Sequence, residues 1–287
     1  MSDQRTDPVT AITEDQASGE IAQLYEDIRR SLGVPVVNLI WRHLATIPGA
    51  LPWAWNSLKP LYASGAITNA AVSLRSSLRP ESNLGISSST LKSVSLSSDD
   101  LRSITVVLNS YERSNSLNLI ALNALLIKID GVEDHTQDGL TQVTADDGIV
   151  HGEMPELLVL SNMEASVREL VEDLNRIGGR SDILPSMYRH LAHWPQYLGL
   201  LHVLLKTIET ESGLESQIVN TIEKTRAAAV QLLPQLANDV EPLSPETELQ
   251  VREALSRFIE GTLGKMTTII QLVSAAMPTA EQSRRNL

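Results

Sequence analysis

The sequence predicts an all-α protein of two tandem homologous helical repeats packed as a pseudo-dimer, and three observations carry the prediction. Apolar residues make up 42% of the chain but aromatic residues only 3%, and the apolar ones are chiefly Leu, Ala, Ile and Val. A sandwich or barrel would call for more β-branched and aromatic residues at short, even spacing. The run Arg-His-Leu-Ala occurs at 42–45 and again at 189–192, each time with a proline three residues on, at Pro48 and Pro195. At the same offset of 147, Leu58, Leu61, Leu96, Ser97, Ile104, Leu108 and Tyr111 meet Leu205, Ile208, Leu243, Ser244, Val251, Leu255 and Phe258. Apolar matches three and four apart preserve one face of a helix. A long period seen twice means a duplicated domain rather than a solenoid.

Upstream of the motif the offset is 146, with Ile21, Leu24 and Ile28 matching Val167, Leu170 and Leu174; an extra residue at Gly178-Gly179 accounts for the slip. The boundaries follow: a flexible N-terminal arm over 1–17, a first helical repeat over 18–129, an acidic linker over 130–160, a second repeat over 161–277 and a C-terminal tail over 278–287. Each repeat falls within the usual size of a domain.

Within the first repeat, Glu20 to Leu32 reads as an amphipathic helix with Ile21, Leu24, Tyr25 and Ile28 on one face, ended by Gly33 and Pro35. Helices over about 36–46 and 51–64 follow. The Ser-rich stretch from Thr68 to Ser98, broken by Pro80 and Gly85, predicts short helices and loops. Ser97 or Ser98 before Asp99-Asp100 has the chemistry of a helix N-cap. Helices over 99–114 and 116–129 complete the half. The second repeat runs in the same order, with helices over 163–177, 183–193, 196–211, 214–233, 244–259 and 264–276.

Composition excludes several classes of function. The net charge is −12 without a dense basic run, which argues against nucleic acid and anionic membranes as partners. Without a single cysteine, disulfides, thiolate catalysis, Cys-ligated zinc and iron–sulfur clusters are out, and so is any redox chemistry that needs a Cys-x-x-Cys pair. The first residues lack the apolar core of a signal peptide, and no apolar run approaches the ~18–20 residues of a membrane helix, so the chain is expected to be soluble and cytoplasmic. No nucleotide-loop, nucleophile-elbow or zincin motif occurs.

Pockets collect where two domains meet, so the chemistry should lie where the copies differ. Opening the second helix, one copy reads Gly33-Val-Pro-Val-Val-Asn and the other Gly178-Gly-Arg-Ser-Asp-Ile, which sets Ser181 and Asp182 against apolar residues. Both are ordinary helix N-caps, yet a carboxylate at a helix start beside an interface pocket is also placed to act as a general base. His190 and His193 sit three apart on one helix, but no third ligand has motif spacing, so no metal is expected. Asn115 and Asn118 flank a helix boundary, where an asparagine is normally a cap. Trp41, Trp53, Trp55 and Trp194 read as core or pocket wall.

The run from Ile21 to Asn38, followed by Trp41-Arg-His-Leu-Ala and Pro48, resembles the group I 2-haloacid dehalogenases of the DehI type, which act on both D and L enantiomers. The two-copy layout and Arg-Ser-Asp ahead of Tyr188-Arg-His-Leu-Ala share that resemblance, which extends over nearly the whole chain. It implies an all-helical pseudo-dimer, homodimers of the chain, and a site between the repeats. The implied reaction is cofactor-independent hydrolysis of a small 2-haloacid, with inversion at C2 and no ester intermediate. Carried over, Asp182 is the base that activates water, and Asn115 or Asn118 holds that water. Ser181 with helix N–H groups receives the substrate carboxylate, and Trp41 lines the halogen slot. Phe258 is the aromatic nearest to a tyrosine of the family pocket. The competing expectation is a non-catalytic helical homo-oligomer that binds a small acid or a partner, with Asp182 only a cap.

Overall fold

A computed structural model describes residues 9–80, 85–131, 150–180, 182–211 and 213–278. Among these residues every regular element is helical, and no helix is long and apolar enough to cross a membrane. Residues 1–8 of the expected arm, most of the linker and most of the tail lie outside the described residues.

Helix α1 (Gly19–Leu32) buries Tyr25, Ile28 and Leu32, as its apolar stripe predicts. It ends at Gly33, whose φ of 64° is left-handed and whose Cα is approached by the Arg113 guanidinium, so a side chain here would be strained and crowded at once. Residues 9–17, expected to be part of a loose arm, are instead fastened. Val9 is buried, Tyr25 donates to the carbonyl of Ile12, and the Glu14 carboxylate takes Arg29 and the backbone N–H of Val37. The polar composition that suggested mobility is consumed in these contacts.

Helix α2 (Leu39–Leu44) is shorter than its pattern suggested; α3 (Ala50–Ala63) and α4 (Ala66–Leu78) follow, then the single turn and a half of α5 (Ser88–Ser93). Helix α6 (Ser98–Ile129) spans 32 residues without a break. Its start carries a full capping box, in which the Ser97 hydroxyl accepts from Asp100 N–H at 3.1 Å and the Asp100 carboxylate accepts from Ser97 N–H at 2.8 Å. The sequence predicted two helices here, divided near Asn115. The polar cluster that suggested a boundary is buried and bonded instead. Ser116 donates to the carbonyls of Glu112 and Arg113 and accepts from Arg75, while Ser114 and Asn118 take side chains from outside the helix. Tertiary partners thus remove the competition with the backbone that makes Ser and Asn helix breakers.

The second half contributes α7 (Ala165–Arg176), α8 (Ser186–Leu191), α9 (Pro195–Glu211) and α10 (Leu214–Val230). A continuous helical run then occupies 245–276: α11 (Pro245–Arg257), a π segment (Phe258–Leu263) and α12 (Gly264–Ala276). This run and α6 start at 245 against 98 and end at 276 against 129, which is the offset read from the sequence. At that offset the π segment falls opposite Tyr111–Ser116 of α6. Such expanded turns concentrate at functional sites.

The apolar core sorts by space rather than by chain order. One buried cluster joins α1–α4 to Leu117–Ile127 of α6 and to Val251, Leu255 and Phe258 of the opposite half. The other joins α7–α9 and Met266–Val273 to Ile104, Val107, Leu108 and Tyr111. Each of the two long runs is shared, one half in either cluster.

Candidate active site

Where the long runs change from one cluster to the other, they border a cavity of about 810 Å³. Its wall draws on residues between 9 and 15, Asn38 and Arg42 of the α2 region, Tyr111 and Asn115 at mid-α6, residues between 154 and 159, the start of α8 between 185 and 190, and Thr262, Leu263 and Met266 where the π segment passes into α12. Both arginines of the repeated Arg-His-Leu-Ala motif, Arg42 and Arg189, reach this wall, as does His190.

Asn115 is 3% exposed, and its amide Nδ2 has no hydrogen-bond partner. Asn38 donates to the Ser114 hydroxyl at 3.0 Å, while its Oδ1 is buried without a donor. The Nε of Arg42 is likewise buried and unpartnered. Buried polar groups are nearly always bonded, so three orphans on one cavity wall point to a polar ligand. Tyr111 and His190 pair at 2.8 Å through the tyrosine hydroxyl and Nδ1. Burial, then the charges of Arg189, Arg42 and His193, hold the His190 pKa down at about 3, and burial pushes Tyr111 above its usual value. His190 is therefore a neutral imidazole at any ordinary pH. At an offset of 147 the corresponding pair is Phe258 and His43, stacked at 5.9 Å; the phenylalanine has no hydroxyl, and His43 meets the carbonyl of Thr10 instead.

The residues singled out in the sequence are not brought together. Asp182 is absent from the cavity wall: its carboxylate accepts from Arg257 at 3.0 Å, and its side chain is 49% exposed. Nor does it cap α8, whose N-cap position is Pro185. It belongs to a loop docked on the outside of the π segment, where Arg180 donates to the carbonyl of Glu260. Beside it Lys265, fully buried, closes the end of α7 through the carbonyls of Asn175 and Gly179, both at 2.8 Å. Desolvation holds the pKa of that lysine down at about 8, against the pull of Asp182. Ser181 lies outside the described residues. Trp41 is fully buried and does not reach the cavity; it meets Trp55 edge-on at 5.8 Å and donates its indole N–H to Asn118 Oδ1 at 2.9 Å. Asn118 thereby serves the core, and Phe258 packs in the same core cluster. Among the described residues that the sequence singled out for the site, Asn115 alone lines the cavity.

Sequence reasoning passed over Arg42, Arg189, Asn38 and Tyr111. The signal was the Arg-His-Leu-Ala motif itself, which was read as a mark of duplication and not as two copies of a cavity-facing arginine. His193, the second member of the suspected histidine pair, meets the carbonyl of Glu156. Among the described residues no group of three or more His, Asp or Glu side chains could hold a metal ion.

Comparison with known proteins agrees with the helical arrangement. The backbone superposes on a solved D-2-haloacid dehalogenase mutant in complex with D-2-CPA, with a TM-score of 0.76 over 93% of this chain and 94% of that one, at 17% identity. The chain has the fold of the D-2-haloacid dehalogenases. A second such dehalogenase, in complex with L-LA, gives the same TM-score at 18% identity, covering 93% and 96% of the two chains. By sequence, the chain is 28% identical over 211 residues to a configuration-inverting 2-haloacid dehalogenase of Alcaligenes xylosoxydans xylosoxydans, covering 68% of each. A 55-residue stretch is 36% identical to the (R)-2-haloacid dehalogenase of Pseudomonas putida, covering 19% of this chain and 18% of that one. No protein-family model matches the chain.

Proposed function

We propose that the chain is a hydrolase acting on carbon–halide bonds, converting short 2-haloalkanoic acids of both configurations to 2-hydroxy acids in the cavity between the long helical runs. The observation that carries this reading is the set of orphaned polar groups on that wall, Arg42 Nε, Asn38 Oδ1 and Asn115 Nδ2, in a fold shared with dehalogenases. In the reaction a water oxygen bonds C2 as the carbon–halogen bond breaks on the opposite face. The halide leaves with the electron pair, a base takes the water proton, and C2 inverts. An amide at the wall suits the water, because it can hold it by donor and acceptor together.

The resemblance assigns the base to Asp182. In that role the carboxylate must leave Arg257 and turn toward the cavity. Its observed place favours a second reading, in which the cavity binds a small acid without turning it over. Halide release from D- and L-2-chloropropionate by the wild type and by Asp182→Asn separates the two. The dehalogenase reading expects chloride from both enantiomers, and a loss of about 10²–10⁴-fold in the folded variant if Asp182 is the base. A variant that keeps its rate puts the base elsewhere on the wall. A wild type that releases no chloride leaves the binding reading.

The two halves, 18–129 and 161–277, are further proposed to be tandem repeats forming a pseudo-dimer. The matched ends of α6 and of the 245–276 run and the mirrored Tyr111–His190 and Phe258–His43 pairs support this. Association as a homodimer rests on the resemblance alone.

A further inference from the structure

Arg42 is the residue whose surroundings ask most plainly for a ligand. Its Nε is buried without an acceptor, and no carboxylate is paired with it among the described residues. The acids near it are otherwise engaged or in water. Glu14 is held by Arg29 and the Val37 N–H, while Asp15 and Glu156 stand exposed. One turn before Arg42 on the same face lies Asn38, tied to Ser114, whose neighbour in the chain is Asn115. Arg42, Asn38 and Asn115 therefore form one connected patch of the wall, with one cation, one free amide donor and one free amide acceptor. The guanidinium is half-buried, but its buried Nε–H is costly unless an acceptor completes it, and a carboxylate matches the guanidinium fork. The duplicate arginine is not equivalent, since the Nε of Arg189 donates to the carbonyl of Leu158 at 2.8 Å.

We propose that Arg42 anchors the carboxylate of the ligand, with Asn38 and Asn115 facing an oxygen substituent at C2, so that the cavity selects short 2-substituted monocarboxylates. This deepens the proposed function by placing the acid group of the same substrate class. The free acceptor on Asn38 discriminates further. A hydroxyl or a water at C2 can donate to it and a halogen cannot, so a 2-hydroxy acid should bind more tightly than the plain acid.

Calorimetric titration tests this on the intact protein with D- and L-lactate, propionate and propionamide. The wild type should bind at least one lactate enantiomer more tightly than propionate, and propionate at least about 10-fold more tightly than the neutral amide. Arg42→Gln should weaken the acids about 10- to 100-fold, as expected for a charge-assisted hydrogen bond, and should leave the amide unchanged. Arg42→Lys should recover part of the loss. Equal binding of propionate and propionamide by the wild type, or unchanged acid binding in a folded Arg42→Gln, overturns the proposal. Acid binding without chloride release would sink the dehalogenase reading and leave this one standing. Chloride release with an unchanged KM in Arg42→Gln would do the reverse.

Discussion

Lowering the pH from about 6.5 to about 3 should remove about 4 kcal/mol of stability through His190 alone. The unfolded chain titrates this histidine near its ordinary value, whereas in the folded chain burial and the charges of Arg189 and Arg42 hold it at about 3. Between the two values the unfolded state carries a proton that the folded state refuses. Stability therefore rises with pH across this window, is fully present above it, and is lost as the pH falls through it. Urea midpoints measured from pH 7 down to pH 4 on the wild type and on His190→Asn provide the check. The amide keeps a partner for Tyr111 but does not titrate, so its midpoint should fall less steeply. Aspartates and glutamates that also weaken the fold in acid are common to both proteins and cancel in the comparison. Parallel curves would mean that His190 titrates normally and that the site is wetter than its 4% exposure indicates.

Trp41→Ala should destabilise the fold by about 4 kcal/mol, within the range of aromatic deletions from well-packed cores. The indole is wholly buried and edge-on to Trp55, so little around it can relax into the space. The change also strips Asn118 of its partner. The Nδ2 of that amide already lacks an acceptor, so losing the indole N–H would leave the whole group unbonded in the core. Trp41→Phe isolates this part and should cost about 2 kcal/mol, from the lost donor and the smaller ring. Adding Asn118→Leu to Trp41→Phe should recover part of that loss, because removing both partners of a buried bond is cheaper than removing one. Midpoint shifts at constant urea dependence report these differences. A loss below about 1 kcal/mol for Trp41→Ala, with altered affinity for small acids, would return Trp41 to the pocket wall.

The all-helical character and the capped starts at Ser97 and Ser244 were legible in the sequence because each rests on local chemistry or on spacing. The unbroken course of α6 was not, since the residues that looked like breakers are satisfied by Arg75, Asn38 and Trp41 from elsewhere in the chain. The π segment was equally hidden, as an expanded turn inside a continuous helix needs no breaker residue to announce it. Asn115 read locally as a cap at a helix boundary, and only the resemblance singled it out; the structure places it inside α6, on the cavity wall. The place of Asp182 was not readable. Its pairing with Arg257 joins positions 75 apart in the chain, and local pattern favoured a cap at a helix that in fact begins four residues later.

The sharing of α6 between both core clusters has a consequence for how the protein can come apart. A chain cut at the linker would leave Ile104, Val107, Leu108 and Tyr111 as a bare oily stripe, and would deprive the other fragment of the surface that covers it. Neither piece should be an autonomous folding unit, even though each corresponds to one of the proposed repeats. Melting should pass through one calorimetric transition with equal van't Hoff and measured enthalpies, and two fragments made separately should become structured only when mixed. Ancestral fusion, if it joined two such pieces, would have converted an obligate partnership between molecules into one chain whose ends cannot drift apart.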